Sequence, residues 1–468
     1  MASKFYVTCA IPYVNAPPHV GHALEFVQGD VIARYHALLG EETKLLSGGD
    51  ENALKNVQAA QKAGVPTKEF IDANTQKFLE LTKALRCRFD VWQKGSDTKH
   101  HFASSQKLWE LCKKDIFKKS YEGLYCVGCE QFYTKDELDT NGECFEHPGK
   151  KLDMVKEENY FFRLSKYQKQ LIKLISDDTV KIIPDFRKNE MLSFLKQPLR
   201  DISVSRNNER AKNWGVPVPG DDTQRMYVWF DALNIYQSGI GFGWDEKQYK
   251  KWWPADVHVI GKGITRFHAI YWPAFLLSAG LKLPKSIFVH GYFTVNGQKM
   301  SKSVGNVIDP FTLIEKYGAD PLRYYLLREI PATADGDFSE SRFRELYNAD
   351  LANGLGNVTA RIAKLCEMNN INVSETSIKY SISKNLSNYE FSLALEEIWK
   401  DIKKLDVQIN NDKPWETKDA DKLHQYVNQL IHIAVSLQPF LPDTAQKILE
   451  QFKGPTITSQ PPLFPRIP

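Results

Sequence analysis

The sequence predicts an α/β protein: a doubly wound parallel sheet of Rossmann-like type, split by an insert and followed by an all-α helix bundle. Three observations predict it. Strand and helix patterns alternate from Phe5 to about Ala60; the alternation breaks near Lys118 and resumes near Val257; and beyond about Asp350 almost every segment has helical spacing.

Taken in order, Phe5-Tyr6-Val7-Thr8-Cys9 reads as a buried strand, and a Pro-rich loop runs on to Pro18. Leu24, Val27, Val31, Tyr35 and Leu38 then fall at helical spacing, closed by Gly40. Thr43 to Leu46 reads as a second strand, ended by Gly48-Gly49-Asp50, and a helix follows through Ala53, Val57 and Ala60. Ligands of such a sheet bind at the carboxyl ends of its strands. From Lys118 to Arg225 the periodicity weakens, charge thickens and a cysteine cluster interrupts, the pattern of an inserted module. Val257 to Ile260 and Ser286 to His290 read as strands, Thr265 to Ser278 as a helix, and Asn296-Gly297 as a tight turn. The expected division is 1–117 and 226–325 for the two halves of the sheet domain, 118–225 for the insert, 326–350 for a linking segment and 351–468 for the bundle.

Composition excludes several classes. With 468 residues, 42% hydrophobic, 25% charged and 12% aromatic, the chain is neither disordered nor fibrous. A net charge of +4 permits a polyanionic partner without requiring one. The most apolar stretch, Ala269 to Leu281, contains Pro273 and is shorter than the roughly 18 residues of a membrane span. Strand alternation at Phe5 leaves no room for a leader, and seven scattered cysteines are too few for a disulfide framework, so the expected address is cytoplasmic.

Two motifs carry chemistry. His19-Val20-Gly21-His22 falls where the first loop enters the first helix, so that two imidazoles, free backbone N–H groups and the helix dipole could receive phosphates. Lys299-Met300-Ser301-Lys302-Ser303 follows the tight turn, with small serines leaving two ammonium groups able to swing onto a triphosphate. In this order, at opposite ends of a split sheet domain, they resemble the HIGH and KMSKS signatures of class I aminoacyl-tRNA synthetases. Ala10-Ile11-Pro12-Tyr13-Val14-Asn15, Tyr227-Val228-Trp229-Phe230-Asp231-Ala232-Leu233, Phe267-His268-Ala269-Ile270-Tyr271-Trp272-Pro273 and Val289-His290-Gly291-Tyr292 resemble the methionyl-tRNA synthetases in particular. Pro462-Leu463-Phe464-Pro465-Arg466 resembles the close of that family's bundle.

The resemblance implies a ligase that activates methionine with ATP and transfers it to the terminal ribose of tRNA(Met). It implies catalytic roles for His19, His22, Lys299 and Lys302, and ATP contacts from these together with Gly21, Gly261, His290, Gly291, Met300 and Ser301. It implies a methionine pocket of Ala10, Ile11, Tyr13, Trp229, Tyr236, His268 and Trp272, with Asp50 on the substrate ammonium. Such a pocket suits a thioether, which gains from aromatic edges. The substrate carboxylate is itself the nucleophile, so the protein supplies position and charge, and magnesium arrives on ATP.

Cys126-Val127-Gly128-Cys129 and Cys144-Phe145-Glu146-His147 form CxxC and CxxH pairs, a donor set of three thiolates and one imidazole for a closed, structural zinc site, one per chain. The family often carries a zinc knuckle here. Asn357 and Arg361, four apart on a predicted helix, and Trp415, after Pro414 where a later helix breaks, match the family's contacts to the CAU anticodon. Two positions depart from the family pattern: Asn52 stands where many members have histidine, and Gly263 where many have aspartate. Another class I synthetase is the competing enzyme reading, although about 280 residues between the two motifs leave little room for an editing insert. A synthetase-shaped RNA-binding protein without catalysis is the competing non-enzyme reading. With no further module after the bundle, a monomer is expected.

Overall fold

The computed structural model describes residues 3–128, 131–133, 137–145, 149–300, 305–371, 383–417 and 419–467, with only the backbone of Tyr121, Gln131 and Lys299. The chain forms two compact units. The first gathers Met1–Pro18, Gly40–Glu80 and Arg88–His290; the second gathers His19–Leu39, Leu81–Cys87 and Gly291–Pro468.

The first unit is built on a six-stranded sheet of β1 (Lys4–Cys9), β2 (Glu42–Gly49), β3 (Val91–Lys94), β4 (Lys181–Ile183), β5 (Val257–Gly261) and β6 (Ser286–His290). Their order is β3-β2-β1-β5-β6-β4, with every neighbour parallel. The last four residues of β1, four of the five in β5 and all of β6 are buried, the apolar run of strands covered on both faces. Strand order reverses between β1 and β5, where Val7 faces Val257 and Cys9 faces Val259. At this switch point the carboxyl ends deliver Ala10 from β1, Asp50 from β2, Gly261 from β5 and His290 from β6.

The segment from Lys118 to Arg225 does more than interrupt the sheet. Gln131–Tyr133, Ile116–Cys126, Asp153–Phe162 and Ile202–Ser203 pair as an antiparallel sheet of their own. The same segment also supplies β4, which joins the edge of the parallel sheet, Ile182 facing Ile287. The helix expected from Thr265 to Ser278 is also irregular. A 3-10 turn covers Lys262–Ile264, a π-turn covers Phe267–Tyr271, and the α-helix proper runs only from Trp272 to Ala279. Pro273 lies in the first turn of that α-helix, where a missing N–H is tolerated.

In the second unit, α1 (Val20–Leu38) is followed much later by a hairpin of Phe293–Val295 and Gln298–Lys299. Asn296 (φ 50°) and Gly297 (φ 74°) supply the two left-handed residues of its two-residue turn. Gly336–Phe338 pairs in parallel with the first strand of that hairpin. Helices α2 (Ala319–Arg328), α3 (Asn357–Met368), α4 (Phe391–Asp412), α5 (Ala420–Leu437) and α6 (Pro442–Gln451) follow, and no strand lies beyond Phe338 among the described residues. Leu395, Ile398, Ile402, Leu405 and Ile409 bury one face of α4; Leu423, Val427, Leu430 and Ala434 bury one face of α5.

Candidate active site

The eight residues of the expected methionine pocket all lie in the first unit. Tyr13 pairs with Asp50 in an isolated parallel bridge, and the Asp50 N–H donates to the Pro12 carbonyl at 2.9 Å. Asn56 Nδ2 donates to the Asp50 carbonyl at 2.7 Å, so the backbone that carries the buried Asp50 carboxylate is fixed from both sides. Tyr13 stands edge-on to Trp229, with ring centroids 6.3 Å apart at 84°. Trp229 in turn stacks on Phe267 at 3.7 Å and 6°. Ala10, Trp229, Tyr236 and Trp272 belong to one buried apolar cluster, with Ile11 and Tyr13 packed on it.

The irregular turn after β5 explains how His268 enters this wall. His268 Nδ1 bonds the Ile264 carbonyl at 2.9 Å, while the Tyr236 hydroxyl lies 2.7 Å from Nε2. A ring that donates from Nδ1 to a carbonyl accepts at Nε2, so the pair fits a neutral imidazole. Burial pushes the pKa of His268 down to about 4, against a smaller opposing pull from the Ile264 carbonyl. His258, behind it, is held well below the usual histidine value by burial and by the neighbouring His268. Trp272 Nε1 is buried without a hydrogen-bond partner among the described residues, leaving a donor in the cluster.

Structure accounts for the first departure from the family pattern. The amide of Asn52 donates to the Gly95 carbonyl at 2.7 Å and to Asp231 Oδ2 at 2.8 Å, and the other oxygen of Asp231 is held by the buried His101. Glu51, fully buried, accepts from Thr75 Oγ1 at 2.7 Å and from the Ser96 N–H at 3.1 Å. Asn52 thus helps nail down the segment that carries Asp50. Gly263 sits inside the 3-10 turn, a backbone open to any residue, so its lack of a side chain is not forced by conformation.

In the second unit the two signature motifs come together. His19 is the N-cap of α1: its Nδ1 accepts from the Gly21 N–H at 3.1 Å, and His22 Nδ1 accepts from the His19 N–H at 3.1 Å. Val20 N–H donates to the Ile308 carbonyl at 3.1 Å, and His22 and Ala23 N–H donate to the His19 carbonyl at 2.9 and 3.3 Å. The first donors of the helix are therefore already taken, contrary to the expected free backbone N–H groups, and contact with an anion falls to the imidazoles. With Nδ1 accepting on both rings, the neutral tautomer carries its proton on Nε2, a donor suited to phosphate oxygens. A Cβ at Gly21 would come within 2.9 Å of the His19 ring and 3.8 Å of the Met300 methyl, which explains the glycine and joins the motifs. A Cβ at Gly291 would lie 2.1 Å from the Ala334 carbonyl oxygen. Gly261 and His290 face each other across β5 and β6. Lys299 closes the hairpin ladder opposite Thr294; Ser301 and Lys302 lie outside the described residues.

Of the expected zinc ligands, Cys126 and Cys144 are described and buried, while Cys129 and His147 lie outside the described residues. Cys126 ends a strand paired to Gln131–Tyr133, and Cys144 Sγ reaches the Tyr133 hydroxyl at 3.4 Å. Asp139 folds the intervening loop, its Oδ1 accepting from the N–H groups of Asn141 and Glu143. Two shielded thiols, one from each cysteine pair, are donors whose chemistry suits a thiolate-rich zinc site.

In the bundle, Asn357 and Arg361 share α3. Arg361 bonds Asp406 at 2.6 Å and Asn410 at 2.8 Å on α4. That helix ends at Lys413 in a left-handed cap, a short helix starts at Pro414, and Trp415 is left 46% exposed. Phe267, which the sequence marks only as part of a family-like segment and not as pocket lining, and Lys55, whose ammonium lies over the Tyr13 ring, join the expected residues.

A parallel sheet reversing at β1 and β5, with paired HxGH and Lys-Met-Ser-Lys-Ser motifs, defines a class I aminoacyl-tRNA synthetase, and the family model described as "tRNA synthetases class I (M)" matches residues 5–363. Methionine–tRNA ligase of Thermotoga maritima is 40% identical over 96% of this chain and 75% of its own length. That of Brucella melitensis is 38% identical over 97% and 92%. The structure of Mycobacterium tuberculosis methionyl-tRNA synthetase in complex with methionyl-adenylate superposes with a TM-score of 0.91 at 36% identity, covering 99% of this chain and all of that one. The chain belongs to the methionyl-tRNA synthetases: it is a methionine–tRNA ligase that activates methionine with ATP and charges tRNA.

Proposed function

We propose that each half of the reaction is carried by the residues described above. Asp50 binds the ammonium of methionine, and the aromatic cluster of Tyr13, Trp229, Tyr236, His268 and Trp272, with Ala10 and Ile11, receives the thioether. A neutral His268 suits this, since a charged imidazole would repel the substrate ammonium and cost burial energy. His19, His22, Lys299 and Lys302, with Gly21, Gly261, His290, Gly291, Met300 and Ser301, bind ATP and its magnesium. The methionine carboxylate attacks the α-phosphorus, pyrophosphate leaves, and the charge that develops is met by imidazole N–H and lysine ammonium groups. The tRNA ribose hydroxyl then attacks the acyl carbon and AMP leaves.

The observation that carries this reading is the unbroken series of contacts from Asp50 through Tyr13 and Trp229 to Phe267, adjoining His268 and Tyr236, at the carboxyl ends of the strands. Cys126, Cys129, Cys144 and His147 hold a structural zinc that fixes their loop and takes no part in bond making. Asn357, Arg361 and Trp415 read the CAU anticodon of tRNA(Met). Among the described residues no helix is long and apolar enough to cross a membrane; the proposed setting is the cytoplasm, with the chain acting as a monomer. Methionine-dependent ATP–pyrophosphate exchange tests the central reading. Lys302→Ala is expected to slow exchange by orders of magnitude while leaving methionine binding intact; unchanged turnover with a raised methionine KM would refute the assigned role.

A further inference from the structure

Two side chains with no role in the reaction above link the cysteine-bearing loop to the methionine pocket. Lys55, on the helix Leu54–Ala63, places its Nζ 3.0 Å from the centroid of the Tyr13 ring. The same ammonium donates to the carbonyl of Gly128, inside the CxxC pair, at 3.2 Å. Arg266 Nη2 lies 3.2 Å from Glu137 Oε1, on the loop between the two cysteine pairs, with its guanidinium 3.9 Å over the Phe194 ring. Arg266 immediately precedes Phe267 and His268. The loop therefore reaches two walls of the pocket, Tyr13 and the π-turn.

An ammonium centred on an aromatic face is attracted by the ring's quadrupole, and more strongly where water is partly excluded. The Gly128 carbonyl holds that ammonium in place, so the ring is held in turn. Tyr13 is only partly buried and makes edge contact with Trp229. Without the cation the ring loses that attraction and is held less firmly, and methionine must then order it as it binds, a cost that appears in the dissociation constant. Such a cost falls on methionine and spares ATP, because no residue assigned to ATP lies on this path.

We infer that Lys55 is a positioning residue of the methionine pocket: anchored on the Gly128 carbonyl, it holds the Tyr13 ring ready for substrate, and the Arg266–Glu137 pair is the second tie from the same loop. The inference rests on the pocket reading above. The experiment measures methionine binding by calorimetry, and exchange kinetics, on the full chain for Lys55→Met, Lys55→Arg, Glu137→Gln and Trp229→Ala.

Lys55→Met keeps the length of the side chain and removes its charge; it is expected to raise the methionine Kd and KM roughly five- to thirtyfold, with ATP KM and kcat within about twofold. Lys55→Arg keeps a cation and is expected to restore methionine affinity to within about threefold. Glu137→Gln, at a partly exposed pair, is expected to move methionine affinity in the same direction by roughly two- to fivefold. If Trp229→Ala weakens methionine binding and Lys55→Met does not, the inference fails and the pocket stands. If Trp229→Ala also leaves methionine binding unchanged, the pocket reading falls and takes the inference with it. Equal losses in kcat and in affinity for both substrates, not rescued by Lys55→Arg, would make Lys55 a residue of the fold and overturn its positioning role.

Discussion

His268 shows how one side chain's surroundings fix its chemistry. Buried between the Ile264 carbonyl and the Tyr236 hydroxyl, with its pKa pushed down to about 4, it stays neutral through the range where histidine normally titrates. The methionine Kd should therefore be flat with respect to His268 between about pH 6 and 8. Stability follows a definite sign. In the unfolded chain His268 takes up a proton near its ordinary value of 6.5, and in the folded chain only near 4, so between these the unfolded state binds more protons. Its contribution is unpenalised above pH 6.5 and is eroded as pH falls toward 4; His258, shifted the same way, adds to the effect. Urea denaturation should show stability lower at pH 5 than at pH 7.5 by on the order of 1–3 kcal/mol. His268→Gln should flatten part of that slope, and an unchanged slope would mean that the imidazole ionises within the fold.

Among the elements, the cysteine-bearing loop and the break after α4 each support a prediction. The described thiols of the cysteine-bearing loop, Cys126 and Cys144, are buried. Metal analysis of freshly purified, unchelated protein should find about one zinc per chain, because folding of such a loop and metal binding are coupled. Cys129→Ser should lose the metal and open the loop to proteolysis; protein without zinc as purified would end the claim. At the helix break, a large indole 46% exposed beside a proline suits a stacking platform better than a packing residue. Trp415→Ala should lower tRNA charging by roughly one to two decades, the worth of one stacked base, with methionyl-adenylate formation nearly intact. Equal losses in both half-reactions would assign Trp415 to the bundle.

At the scale of the molecule, the second unit is stitched from distant parts of the chain, and Arg323 of α2 is the stitch. Its fully buried guanidinium pairs with Asp30 of α1 at 2.8 Å and donates to the carbonyls of Leu85, Pro439 and Phe440 at 3.1, 2.7 and 2.7 Å. It thereby ties the helix capped by His19, the segment Leu81–Cys87 at the end of the helix Thr67–Ala84, and the loop between α5 and α6 into one network. Asp30 retains Arg34 at 2.7 Å, but the three carbonyls would lose their charged donor. Arg323→Met should cost about 3–5 kcal/mol of unfolding free energy, the usual effect of breaking a buried ion pair. A loss under about 1 kcal/mol would show that the network relaxes onto water or other donors.

What the sequence determined was whatever is encoded over a few residues. Alternation marked β1, β5 and β6; Asn296-Gly297 marked its hairpin turn; the helical periods of the last hundred residues marked the bundle; and the two signature motifs marked the enzyme class. What only the tertiary structure decided were pairings between segments far apart in sequence. Lys181–Ile183 is too short to announce itself and becomes a strand because β6 offers it an edge. The sequence called the stretch after β5 a single helix, yet it runs through 3-10, π and α turns that bring Phe267 onto Trp229 and His268 to Tyr236. The first donors of α1 read as an anion site until the fold supplied the Ile308 carbonyl and the reciprocal His19 and His22 cap. Periodicity records which face of an element is buried, whereas a site depends on which other element covers that face, and that is set by contacts hundreds of residues apart.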